Sequence, residues 1–108
     1  MGNTKVEYMY RDGSNYKIRQ SVVLRGTLTK KEIDQIFSKL DGIWFIPRQV
    51  GLPEERFEES NEDDHCYFEM QEITDTNEGV DEVLTAKEMY ANFMAVKEWD
   101  CVKYAYPA

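Results

Sequence analysis

The chain has one histidine, two cysteines and three prolines, and no apolar run near the roughly 18 to 20 residues that a membrane span needs. With His65 alone, any histidine-dependent catalysis has to pass through that residue. Cys66 and Cys101 are too few for a disulfide framework or an all-thiolate zinc site, and they form no C-x-x-C pair. They read as two reduced, small core side chains, because a bridge between them requires an oxidising compartment. The opening MGNTKVEYMY lacks the apolar core of a secretory signal, so the expected address is cytoplasmic. Basic residues are also scarce, 13 against 21 acidic ones, for a net charge of -8. That sign repels phosphate backbones and argues against direct nucleic-acid binding.

Chemistry motifs are missing as well. There is no phosphate-cradling glycine loop, nucleophile elbow or H-E-x-x-H pattern. Ser14, Ser21, Ser38 and Ser60 lack a local activating context. Asp75 to Asp81 begins like a calcium loop, but Val80 stands where glycine is needed and Ala86 where a bidentate glutamate is needed. The expectation is a protein without cofactor and without catalytic activity.

What is present builds one domain over residues 1–108, with 42% hydrophobic residues for a modest core. Val6, Tyr8 and Tyr10 alternate, as do Tyr16, Ile18, Val22 and Leu24, and Arg11 to Asn15 between them supplies turn formers. This predicts a hairpin. Thr29-Lys30-Lys31-Glu32 spells a capping box ahead of a stripe of Ile33, Ile36, Phe37 and Leu40, with Asp41-Gly42 as the helix stop. Thr85-Ala86-Lys87-Glu88 repeats that pattern ahead of Met89, Tyr90, Phe93, Val96 and Lys97. Strands are predicted at Ile43 to Ile46, at Cys66 to Ile73 and at Cys101 to Tyr106. The order β-β-α-β-β-α-β implies an α+β two-layer sandwich, with both helices on one face of a mainly antiparallel sheet.

Charge is unevenly spread. Residues 1–53 sum to +4, residues 54–82 to -12 and residues 83–108 to zero. The block from Glu54 to Asp64 admits three readings: a solvated loop, a divalent-cation site, or an acidic surface that engages a basic protein by imitating phosphates. On the last reading Glu58, Glu59, Glu62, Asp63 and Asp64 make the contact. Asp63 and His65 share a strand face and, with Glu69, would be the ligands of a metal-dependent alternative. The turn from Tyr10 to Lys17 is dense in hydrogen-bonding groups, and reads either as turn chemistry or as a recognition surface.

Tyr10-Arg11-Asp12-Gly13-Ser14-Asn15-Tyr16-Lys17, Phe45-Ile46-Pro47-Arg48-Gln49-Val50-Gly51-Leu52-Pro53 and Asp63-Asp64-His65 resemble a group of small, acidic, uncharacterised bacterial and mobile-element proteins. Those share a Y-R-D-x-S-N-Y-K turn, an F-I-P-x-Q-V-G-L-P loop and a D-D-H step. The likeness covers about residues 8 to 70 and implies a shared fold and surface without a reaction; Gly13 stands where that group favours a small residue such as alanine. If the fold gathers the three motifs, Tyr10, Arg11, Gln49 and His65 line a common polar site; the other outcome is that Arg11 neutralises Asp63 or Asp64. The resulting expectation is a non-catalytic binding module, an inhibitor of the phage or mobile-element kind with an anti-defence role. Its partner is a protein with a basic surface. A self-associating structural protein, pairing through a tail strand with Tyr104 and Tyr106, is the third reading.

Overall fold

A computed structural model describes residues 2–12, 15–55 and 65–104. Four strands and two helices alternate as β1 (Asn3–Arg11), β2 (Lys17–Arg25), α1 (Lys30–Lys39), β3 (Trp44–Phe45), β4 (Phe68–Thr76) and α2 (Ala86–Ala95). A short 3-10 turn, Pro47–Val50, follows β3. The sheet runs β2-β1-β4-β3 with every neighbouring pair antiparallel. This is the α+β architecture expected from the sequence.

Alternation along β1 sends Val6, Tyr8 and Tyr10 to one face, where they are fully buried or nearly so. That face meets Ile36 of α1 and Met89 and Phe93 of α2 in one apolar cluster. Phe45 sits at its centre: the Tyr8 ring meets it edge-on at 5.6 Å and Phe93 stacks on it at 5.9 Å. Such ring pairs contribute about 0.5–1.5 kcal/mol each beyond the area they remove from water. Along α1 the expected stripe narrows, because Ile36 is buried while Phe37 stays 39% exposed at the shoulder.

Both helices start as their capping boxes require. Thr29 accepts from the Glu32 N–H and Glu32 returns a bond to the Thr29 N–H, and Thr85 and Glu88 do the same. Each cap satisfies two amides that the first turn leaves open. The stop of α1 differs from expectation. The helix ends at Lys39, and Gly42, at φ 66, serves instead a tight reversal in which Asp41 and Trp44 exchange both backbone hydrogen bonds. A positive φ at the first central residue is where a two-residue hairpin turn takes glycine.

The strand expected over Ile43 to Ile46 shrinks to two residues because Pro47 opens the 3-10 turn. Within β4 the register slips opposite Glu7, so that Tyr8 pairs with Met70 while Val6 pairs with Ile73. The extra residue brings Ile73 to the face of Phe68 and Met70, which the two-residue alternation of a regular strand would not do. Tyr16, expected on the buried face of β2, lies before the strand and is 67% exposed.

The C-terminal segment corrects two expectations. Residues 101–104 form a turn where a fifth strand was expected, and residues 105–108 lie outside the described residues. The Asp100 carboxylate accepts from the N–H groups of Val102 and Lys103, so donors that a ladder needs are used locally. Cys66 and Cys101, expected to be reduced, are joined in a disulfide with Cα atoms 5.8 Å apart. Folding brings together two positions 35 apart in the chain, a proximity that no local pattern encodes. Among the described residues no helix is long and apolar enough to cross a membrane.

Candidate functional site

Of the expected site residues, Tyr10, Arg11 and His65 contact one another, Gln49 is engaged by the C-terminal segment, and Glu58, Glu59, Glu62, Asp63 and Asp64 lie outside the described residues. Tyr10 is fully buried, its ring 5.1 Å from that of His65 and its hydroxyl accepting from the His65 backbone N–H at 3.1 Å. It is a core side chain with a satisfied polar end. Gln49 lies in the 3-10 turn and holds the C-terminal segment, donating to the Glu98 carbonyl at 2.9 Å and accepting from the Asp100 N–H at 2.9 Å. Arg11 donates to Glu69 at 2.8 Å and also bonds the Asn15 side chain. Its ion pair is therefore with Glu69, whereas Asp63 and Asp64 lie outside the described residues.

His65 holds the chain that enters β4. Its Nδ1 accepts the Tyr67 N–H at 3.1 Å, which places the ring proton on Nε2, and Nε2 then donates to the Arg11 carbonyl at 2.6 Å. Both ring nitrogens are thereby committed to backbone. A metal needs an unshared pair on one of them. Glu69, the second ligand of the metal reading, is 8% exposed at its side chain and bound to Arg11, and Asp63 is outside the described residues. Among the described residues no group of three or more His, Cys, Asp and Glu is placed to hold a metal ion.

The acidic stretch is divided. Glu58, Glu59, Glu62, Asp63 and Asp64 fall outside the described residues, and the other eight carboxylates of residues 54–82 lie within them. Three of these eight meet cations from the first half of the chain: Glu54 with Arg48 at 3.1 Å, Glu69 with Arg11 at 2.8 Å and Glu78 with Lys5 at 3.0 Å. Hydrogen bonding to Lys5 and to Thr76 holds the Glu78 carboxyl below its ordinary range. Asp81 accepts from the Val23 N–H at 2.8 Å and donates its own N–H to the Val23 carbonyl at 2.9 Å. That closes part of the outer edge of β2, which an added strand would otherwise use. Glu55, Glu72, Asp75 and Glu82 are exposed, and among the described residues no side-chain partner engages them. Glu72 is also the register partner of Glu7 across β1 and β4.

Buried phenols add no reactive group. Tyr8 donates to the Pro53 carbonyl, and its burial, with Glu54 and Glu55 nearby, pushes the phenol far above its ordinary range. It stays protonated at any physiological pH and acts as a tether for the loop after the 3-10 turn.

Sequence reasoning missed the concave feature at the β3 edge, a cavity of about 280 Å³ lined by Asp41, Trp44, His65 and Tyr67. The Asp-Gly pair was a usable signal, since a turn there sets Asp41 and Trp44 side by side, but it also fits a helix stop. A second hollow of about 390 Å³, lined by Glu7, Tyr8, Arg19, Gln20, Ser21 and Gln71, is polar and lies by β1 and β2. No protein-family model, curated protein or solved structure matches the chain.

Proposed function

We propose that the protein is a non-catalytic binding module that engages a basic surface of a protein partner and blocks it. The observation that carries this reading is the set of exposed carboxylates, Glu55, Glu72, Asp75 and Glu82, left without a cation among the described residues of a chain of net charge -8. Pairing Glu7 with Glu72 across two strands sets like charges opposite each other, a cost offset in part by Lys5 at 3.9 Å from Glu7. Retaining that cost fits a surface whose counter-charge arrives with a partner, steered by long-range attraction and weakened by salt. The candidate catalytic groups, by contrast, are spent on the fold: His65 on backbone, Tyr10 in the core, Arg11 on Glu69.

The resemblance to small acidic mobile-element proteins supports an inhibitor that imitates a nucleic acid, acting against a host defence protein. A cytoplasmic address belongs to this proposal and must be reconciled with the Cys66–Cys101 bond, because cytosolic thiols are kept reduced. Trapping thiols in the native host decides between them: a reduced pair fits the cytoplasm, and a fully bonded pair fits an oxidising compartment.

Affinity capture at low ionic strength, followed by salt elution, tests the binding function. We expect a basic protein that is retained and released as salt rises. Reversing Glu72, Asp75 and Glu82 to lysine, and separately Glu58, Glu59, Glu62, Asp63 and Asp64, identifies the contact. If both charge-reversed variants retain the partner as the wild type does, the reading is wrong.

A further inference from the structure

The cavity at the β3 edge has the composition of a cation receptor. Asp41 and Trp44 are fixed side by side by their reciprocal backbone bonds, of 2.9 and 3.0 Å, across Gly42 and Ile43. His65 is locked by Arg11 and Tyr67, and its ring stands 83° from that of Trp44 at a centroid distance of 6.1 Å. Two walls at nearly a right angle, with the Tyr67 ring beside them, bound a volume of about 280 Å³. Aromatic faces carry negative quadrupole charge and attract cations. The His65 ring plane is fixed by backbone on both sides, the Tyr67 N–H at Nδ1 and the Arg11 carbonyl at Nε2.

Three polar groups lining this cavity, the Asp41 carboxylate, the Tyr67 hydroxyl and the Trp44 indole N–H, have no side-chain partner among the described residues. The Asp41 carboxylate supplies the anion, and the negative net charge of the chain has the same sign. The occupant follows from counting acceptors. A primary ammonium brings three N–H donors that need partners, and this cavity offers little beyond one carboxylate and one phenol. An alkylated ammonium has no such requirement and covers the ring faces with its methyl groups.

We propose that Asp41, Trp44, His65 and Tyr67 form a receptor for a quaternary ammonium group, either that of a free choline-like compound or the head of a trimethylated lysine. The site is independent of the acidic surface discussed above, so either can fail alone. Tetramethylammonium chloride is the first probe, titrated against sodium chloride at matched ionic strength. Trp44 indole and Tyr67 amide signals are followed by NMR. Choline, a trimethyl-lysine peptide and its unmodified counterpart form the other arms.

A saturable, localised shift with tetramethylammonium is expected, together with stronger binding of the trimethylated than of the unmodified peptide. Tighter binding of the peptide than of choline assigns the head group to a protein; the reverse assigns it to a small molecule. Asp41→Asn keeps the backbone reversal and is expected to weaken binding roughly 3- to 30-fold, the range of a cation–π or ion-pair contact. Tyr67→Leu is expected to do the same while the unfolding midpoint stays near that of the wild type. Shifts no larger than those given by sodium chloride, or wild-type affinity in both variants, overturn the proposal.

Discussion

His65 Nε2 lies 2.6 Å from the carbonyl oxygen of Arg11, the last residue of β1, and this bond ties the entry to β4 across the sheet. The ring thus performs for two backbone groups what a turn would do by local hydrogen bonding. Replacing His65 with alanine leaves the Tyr67 N–H and the Arg11 carbonyl without their partner. Each such loss costs about 1–3 kcal/mol when the group stays buried. The expected result is a lower urea midpoint with an unchanged slope. A wild-type midpoint would show that water replaces the ring. For the same reason Mn²⁺, Zn²⁺ and Mg²⁺ are expected to leave the wild-type melting temperature unmoved, since a metal that bound the native state would raise it.

Acid stability rests in part on two carboxylates, the half-buried Glu32 and the exposed Glu78. Glu32 is held below its ordinary range, chiefly by its hydrogen bond to Lys87 of α2, and Glu78 by its bond to Lys5. A carboxyl whose folded pKa is depressed contributes stability above its unfolded value of about 4.5, and loses it as pH falls through the folded value. Lys5 is raised by the same Glu78 contact, so its contribution is present below 10.5 and is lost as pH rises through the higher folded value. Between those limits the pair contributes a flat plateau. Glu32→Gln with Glu78→Gln is expected to flatten the fall in urea midpoint below pH 4.5. An identical acid slope in the double variant would remove both groups from the account.

Reduction of the Cys66–Cys101 bond frees a loop whose ends are 35 positions apart. Loop-closure entropy for that length is about 3–4 kcal/mol. Melting with and without a phosphine reductant is the measurement, and the reduced protein should unfold at a clearly lower temperature. Tryptophan emission should report the loss early, because Trp99 on the C-terminal segment packs against Phe45 and Phe93.

Gly51 has φ 86, and a Cβ there would lie 2.9 Å from Leu84 Cδ1 and 3.2 Å from Asn92 Nδ2. Gly51→Ala therefore adds a crowded methyl group to a strained backbone, with an expected loss of about 1–3 kcal/mol. Asn92 also donates to the Val50 carbonyl at 2.9 Å, so the variant should loosen the contact between α2 and the 3-10 turn. Amide exchange at Gly51 and Leu52 would register that loosening.

The parts legible in the sequence were those decided within a few residues. Thr29 with Glu32 and Thr85 with Glu88 fixed both helix starts, because a capping box closes inside one turn. Alternation in β1 was equally clear, since that strand is central and one of its faces is wholly buried. What escaped depended on contacts distant in the chain. The slip in β4 is set by packing Ile73 against the core. The Arg11–Glu69 pair was not foreseen either, because it follows from the register of β1 and β4, which sets Glu69 opposite Met9 and so diagonal to Arg11. Cys101 lay in an alternating tail that looked like a strand, and only the folded path shows that its neighbour is Cys66. The cavity was missed because Asp41 and Trp44 come from a turn, whereas His65 and Tyr67 come from a segment more than 20 residues later.

The sulfur bond has a further effect on how the protein meets a protease. Everything from Cys66 to Cys101, including the whole of α2, belongs to a covalent ring. A single cut in the exposed stretch around Gly79 therefore opens that ring without releasing a fragment. The two pieces travel together on a gel until a thiol is added, so clipped and intact molecules have the same apparent mass under non-reducing conditions.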